Sequence, residues 1–243
     1  RSLHVTGVQT CALPILGGAP DENRRRVGYL PENVSFYDAM TIEEHLTFFG
    51  RLKGVAPAAV RRTAERLRLA ELAQKTPKDC SKGQRQRLGL AQALLADPDV
   101  LLMDEPTTGL DPQTTQALYE ILAERARQGC AVLISTHELA LVEKHLDQVM
   151  MLKGGRLTAG PTTLEALRQQ AQLPVRVSVP GCGADWAAKI GLPGVTWEHD
   201  HFVLPETALV PLVKQLTAAG FFDFEVTKPD LTALYSHFNG VAV

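Results

Sequence analysis

Residues able to act on a phosphate ester gather in one stretch, Cys80 to Pro112. Ser81-Lys82-Gly83-Gln84 opens an amphipathic helix with small residues at its mouth. The start of a helix presents unpaired N–H groups and a partial positive charge, which together make a seat for phosphate. Asp97-Pro98 closes that helix, and Val100-Leu101-Leu102-Met103 is a short apolar run of the kind a buried parallel strand shows. Asp104 and Glu105 follow at the strand's C-terminal end, where open α/β sheets place their ligands. Taken alone, two adjacent acids also fit a solvated turn leaving the sheet.

The pair is followed, in order, by Gly109-Leu110-Asp111 and by a second apolar strand ending Ile134-Ser135-Thr136-His137. In this combination the chain resembles the nucleotide-binding subunits of ABC transporters. Ser81-Lys82-Gly83-Gln84 is similar to their signature motif, with Cys80 and Lys82 in place of the usual leucine and first glycine. Asp104-Glu105 is similar to Walker B with its catalytic glutamate, Gly109-Leu110-Asp111 to the D-loop, and His137 to the switch histidine. The resemblance implies ATP and Mg²⁺ as cofactors. It implies Glu105 and His137 as catalytic residues, and Asp104 with Glu32 at the magnesium ion. Ser81, Gly83, Gln84 and Asp111 are implied as further nucleotide-site residues. Glu32 stands where the family usually carries the Q-loop glutamine; a carboxylate can still coordinate Mg²⁺.

Within the family, Gly28-Tyr29-Leu30-Pro31-Glu32-Asn33 followed by Ser35-Phe36-Tyr37 is similar to the ATPases of Nos transporters, which serve copper-site maturation of nitrous oxide reductase. Leu173-Pro174-Val175-Arg176-Val177 and Lys228-Pro229-Asp230-Leu231 extend that likeness. It implies a second ATP-binding subunit in a head-to-tail homodimer and membrane-spanning permease subunits. It also implies a place on the cytoplasmic face of the inner membrane, held there through the permease. Export of another substrate, or a catalytically silent interaction module, are the competing readings. A DNA-repair ATPase of the same superfamily would carry a long heptad insertion, and none interrupts the helical region.

The 243 residues carry a net charge of −2 with 21% charged residues, which gives no basic surface for nucleic acid. No apolar run approaches bilayer length. Cys11, Cys80, Cys130 and Cys182 are scattered without a Cys-x-x-Cys, as in a reducing compartment. His199-Asp200-His201 reads as a hairpin turn rather than a metal site.

Val5 to Ile15 matches the in-frame translation of a common sequencing-library adapter, so residues 1–15 are expected to be an assembly artefact. The G-x-x-x-x-G-K-[ST] phosphate loop of this family does not occur in the 243 residues. The native frame is therefore expected to continue upstream of Leu16 into such a loop. A sheet lacking those strands should expose unpaired edges.

The surrounding elements must position the motifs. Val27 to Leu30 reads as a strand ended by Pro31; Thr41 with Glu44 forms a capping box before a helix, and a second helix follows Pro57. Pro112 starts the helix after the D-loop, Gly129 ends it, and Ala131 to Ser135 is the strand leading to His137. Gln148 to Leu152 and Arg156 to Ala159 form a hairpin. The expected organisation is an α/β, ABC-type P-loop ATPase core over residues 16–171, its N-terminal part missing, with a helical subdomain at about 36–96. Beyond it, a βαββαβα order over 172–243 predicts a small ferredoxin-like α+β accessory domain.

Overall fold

A computed structural model describes the backbone of Leu3–Gly7 and residues 26–240. The chain divides into two compact units, Arg1–Leu157 and Thr158–Val243. That division falls ahead of the boundary expected at 171/172. The helix Leu164–Ala171 packs on Leu231–Asn239 and so goes with the second unit.

The first unit is built on parallel strands β2 (Val27–Leu30), β3 (Val100–Asp104) and β4 (Ala131–Thr136). Leu30 pairs with Met103, and Asp104 with Ser135, so the three strands end together. Leu30, Leu101, Met103 and Ile134 are buried, while Val100 and Leu102 are half-buried on the alternate positions. β1 (Leu3–Gly7) runs antiparallel between β4 and β5 (Gln148–Lys153), with Val5 opposite Ile134 on one side and Val149 on the other. The open edges expected of this sheet are therefore closed along β4 and β5. Backbone N–H and C=O groups demand partners whatever the side chains are, so an extended segment can complete a ladder without a matching side-chain pattern. The sheet order is β2-β3-β4-β1-β5-β6, and the chain passes into the second unit along β6 (Arg156–Thr162).

Helix α1 (Ile42–Leu52) starts from the full Thr41/Glu44 capping box, in which each side chain accepts from the other residue's N–H. α2 (Pro57–Arg66) begins with Pro57 at its first position. α3 (Lys82–Leu94) buries Leu88, Leu90, Ala91 and Leu94. It lies so close to β2 that a Cβ on Gly28 would stand 2.4 Å from the Ala93 carbonyl oxygen. α4 (Pro112–Arg127) follows the D-loop, with Leu118, Tyr119, Ile121 and Leu122 turned to the core. A single turn, α5 (Leu139–Val142), follows β4.

The second unit carries α6 (Leu164–Ala171) and then a four-stranded antiparallel sheet in the order β10-β7-β9-β8. Its strands are β7 (Val175–Ser178), β8 (Thr196–Glu198), β9 (His201–Leu204) and β10 (Glu225–Thr227), all paired antiparallel. The one-turn helix α7 (Ala184–Ala187) and α8 (Leu209–Ala218) pack with the sheet around Val177, Phe202, Leu204, Leu212 and Leu216, and α9 (Leu231–Asn239) packs on α6. His199 and Asp200 form the β8–β9 turn in left-handed conformation, φ 45° and 63°.

Candidate functional site

The shared register of β3 and β4 brings Asp104, Glu105, Ser135, Thr136 and His137 to one rim. Ser135 Oγ donates to Asp104 Oδ1. The Glu105 N–H donates to the Ser135 carbonyl at 2.9 Å, extending the ladder one residue beyond the strand. There the chain turns sharply: Glu105 has φ +47°. Pro106 follows it, and the ring's Cδ disfavours the ordinary helical region for the residue before a proline. A side chain other than glycine in the left-handed region costs on the order of 1–2 kcal/mol, so the turn must be held from outside.

Several groups hold it. Thr136 Oγ1 donates to Glu105 Oε2 at 3.2 Å, and His137 Nδ1 lies 2.8 Å from Glu105 Oε1. An ionised carboxylate can only accept, so Nδ1 carries the proton and Nε2 faces away from Glu105. Thr136 Oγ1 accepts from the Glu138 N–H at 3.0 Å, and the Glu138 carboxylate accepts from Thr107 Oγ1. Glu105, Thr136, Glu138 and Thr107 thus close a ring that clamps the turn after β3 to the turn after β4. From the helical side, the buried Gln86 amide of α3 donates to the carbonyls of Glu105 and Pro106, at 3.4 and 3.3 Å.

Glu105 is well covered, with 16% of its side chain exposed, whereas the His137 ring is 73% exposed. His137 is held above the usual imidazole value, first by its hydrogen bond to Glu105 and then by that carboxylate's charge, with smaller contributions from Glu138 and Glu32. Glu32 itself is exposed, just beyond the end of β2, and it acts on His137 through its charge. Tyr119 of α4 is buried behind this rim, stacked on His145 at 4.2 Å, and its hydroxyl has no hydrogen-bond partner among the described residues. Burial, followed by the charges of Glu138 and Glu105, pushes it up to about 12, so it stays neutral.

The signature-like segment lies against the D-loop. Ser81 caps α3 by accepting from the Gln84 N–H at 3.2 Å, and Gln84 Oε1 accepts from the Ser81 N–H at 3.0 Å. Ser81 and Lys82 are exposed. A Cβ on Gly83 would fall 2.5 Å from the Gly109 carbonyl oxygen, so a glycine is needed for this approach. The Lys82 stem lies beside Gly109, which has φ +79°. Cys80 is buried, its thiol reaching the Thr76 carbonyl at 3.4 Å. Asp111 is the N-cap of α4: its oxygens accept from Thr114 N–H at 2.9 Å and Thr114 Oγ1 at 2.6 Å. Those bonds hold its carboxyl below the usual range.

The structure therefore brings Asp104, Glu105 and His137 together, with Glu32 in electrostatic range. Ser81, Gly83, Gln84 and Asp111 lie at the α3 start and the D-loop, where Gly83 meets Gly109. Sequence reasoning missed Gln86, Thr107, Thr136 and Glu138. A hydrophilic Gln86 with Leu88, Leu90 and Leu94 around it was the available signal for the first. The threonines gave none, because their role exists only once two distant turns are adjacent.

Among the described residues no group of three His, Cys, Asp or Glu side chains is disposed to hold a metal ion. A Mg²⁺ ion in a nucleotide site takes one or two carboxylates and completes its shell with water and phosphate oxygens. Asp104, with one oxygen fixed by Ser135, and the exposed Glu32 are carboxylates of that kind. Among the described residues no helix is long and apolar enough to cross a membrane.

Residues 14–108 match the family model described as ABC transporter. An uncharacterised ABC transporter ATP-binding protein of Synechocystis is 40% identical over 86% of this chain and 61% of its own length. The chain thus spans about three fifths of that relative. A daunorubicin resistance ATP-binding protein of Streptomyces coeruleorubidus is 31% identical over 89% of this chain and 73% of its own. A solved ATP-binding subunit of an ABC transporter superposes with a TM-score of 0.59 at 34% identity, covering 63% of this chain and 65% of that one. With its strand-end carboxylate and histidine in place and these likenesses, the chain belongs to the ATP-binding proteins of the ABC transporter family.

Proposed function

We propose that the protein is the ATP-hydrolysing, energy-coupling subunit of a membrane transporter. The observation that carries this reading is the seat of Glu105: its two carboxylate oxygens are fixed by Thr136 and His137 at the mouth of the parallel strands. A carboxylate so held can accept a proton from an attacking water or polarise it, and its coverage keeps bulk water from competing. His137, with Nδ1 on Glu105, leaves its other nitrogen free to face outward, where it would meet a γ-phosphate and the attacking water. Asp104 and Glu32 would hold Mg²⁺, which when bound neutralises charge on the phosphate oxygens. Ser81, Gly83 and Gln84 would meet the γ-phosphate bound by a second subunit arranged head to tail. Permease subunits would receive the closing motion, from the cytoplasmic face of the inner membrane. Residues 172–243 are read as a ferredoxin-like accessory domain, from their antiparallel β10-β7-β9-β8 order.

The cargo reading follows the segment Gly28–Asn33 and its companions, which favour copper-site maturation of nitrous oxide reductase. The Streptomyces relative, named for daunorubicin resistance, favours drug export instead. The permease genes beside this gene decide between them.

In a full-length protein carrying the phosphate loop, Glu105→Gln should bind ATP and trap a closed dimer, since the amide keeps the shape but takes no proton. Ser81→Arg should bind ATP and stay monomeric, because a guanidinium blocks the opposing phosphate. Size-exclusion chromatography with ATP separates these outcomes. Monomers in both cases, with nucleotide bound, would end the head-to-tail assignment. The 243-residue chain alone, without the G-x-x-x-x-G-K-[ST] loop, should show no steady ATP turnover.

A further inference from the structure

The buried Gln86 is not accounted for by the proposed chemistry, and it joins two parts of the molecule that the reaction uses separately. It sits on α3 a little over one turn beyond Ser81, with 5% of its surface exposed. Its amide reaches the carbonyls of Glu105 and Pro106. These two carbonyls directly follow the turn at the site, where Glu105 is held at φ +47°. A buried amide with no apolar substitute for its donors is costly to keep unless the bond fixes something. Here the bond fixes the direction in which the Glu105 side chain leaves the strand.

We propose that Gln86 is a positioning residue for Glu105, and that it ties the seat of that carboxylate to the helix whose start faces a nucleotide. The second half rests on the head-to-tail reading given above. In that arrangement the start of α3 serves the nucleotide of the opposing subunit, while Glu105 serves the nucleotide of its own. A shift of α3 on meeting phosphate is then felt, through one side chain, by the carboxylate of the other site. The Gly83–Gly109 contact links the same helix to the D-loop, but it does not touch Glu105. Gln86 is the direct strut.

The test reads the Glu105–His137 hydrogen bond in the 243-residue chain without nucleotide, by ¹H–¹⁵N NMR of the His137 ring, assigned with His137→Gln. Gln86→Met keeps the volume and removes the donors. The Nδ1–H proton should then exchange with water on the order of tenfold faster, since a weakened hydrogen bond to Glu105 opens more often. Gln86→Asn, one methylene shorter, should show the same direction and guards against a fold lost in the first variant. A Gln86 that only stabilises the core would lower the melting temperature and leave the His137 signal unchanged in both variants; that result overturns the proposal. In a full-length protein that binds ATP, Gln86→Met should lower kcat on the order of tenfold with KM little changed, since a misaimed base affects the chemical step. An unchanged kcat beside a changed His137 signal would overturn the link between sites. A protein inactive before any substitution would instead count against the ATPase reading, and not against the strut.

Discussion

Glu105 and His137 form an ion pair whose strength depends on pH in a defined direction. The native His137 value lies above the unfolded one, so the pair adds stability below about pH 6.5 and loses it as pH rises through the raised value. The Glu105→Gln substitution should therefore cost more stability at about pH 6 than at about pH 8. Urea unfolding at the two pH values checks this, and equal costs would mean that the bond is not formed in solution. Thr107 and Glu138 act one step further out. Thr107→Val leaves the Glu138 carboxylate without its hydroxyl partner and should destabilise the unit by about 1–3 kcal/mol. The same denaturation experiment measures it.

At the scale of elements, the packing of α3 on the D-loop sets a narrow tolerance. Gly83→Ala would raise helix propensity by roughly 1 kcal/mol, yet its methyl group would stand 2.5 Å from a backbone oxygen that cannot step aside. The net effect should be a loss of about 1–3 kcal/mol, seen as a lower urea midpoint. The elements themselves were legible in the sequence, because their signals are local. Thr41 with Glu44, Ser81 at the head of α3, Pro112 at the first position of α4 and the apolar run before Asp104 each act within a few residues. What was not legible depends on distant contacts. The clamp from Thr107 to Glu138 spans two strands' ends, and α6 belongs to the second unit because of α9, far along the chain. The antiparallel seat of β1 was not legible either, since backbone pairing leaves no mark in side-chain pattern.

At the scale of the molecule, the two units have separate cores. Phe202 is fully buried at the centre of the second, flanked edge-to-face by Trp197 at 4.6 Å and Trp186 at 6.4 Å. Phe202→Ala should cost that unit about 3–5 kcal/mol. It should leave the His137 ring signal of the first unit unchanged, as NMR during thermal unfolding would show. The turn at Glu105 has another consequence, for anyone seeking a hardier version of this protein. Glycine adopts φ +47° freely, whereas glutamate does not. A screen that rewards heat resistance alone would thus be drawn toward Glu105→Gly, and its winners would be proteins relieved of their strain and of their chemistry together. Libraries built on this chain should hold position 105 fixed and look for robustness elsewhere.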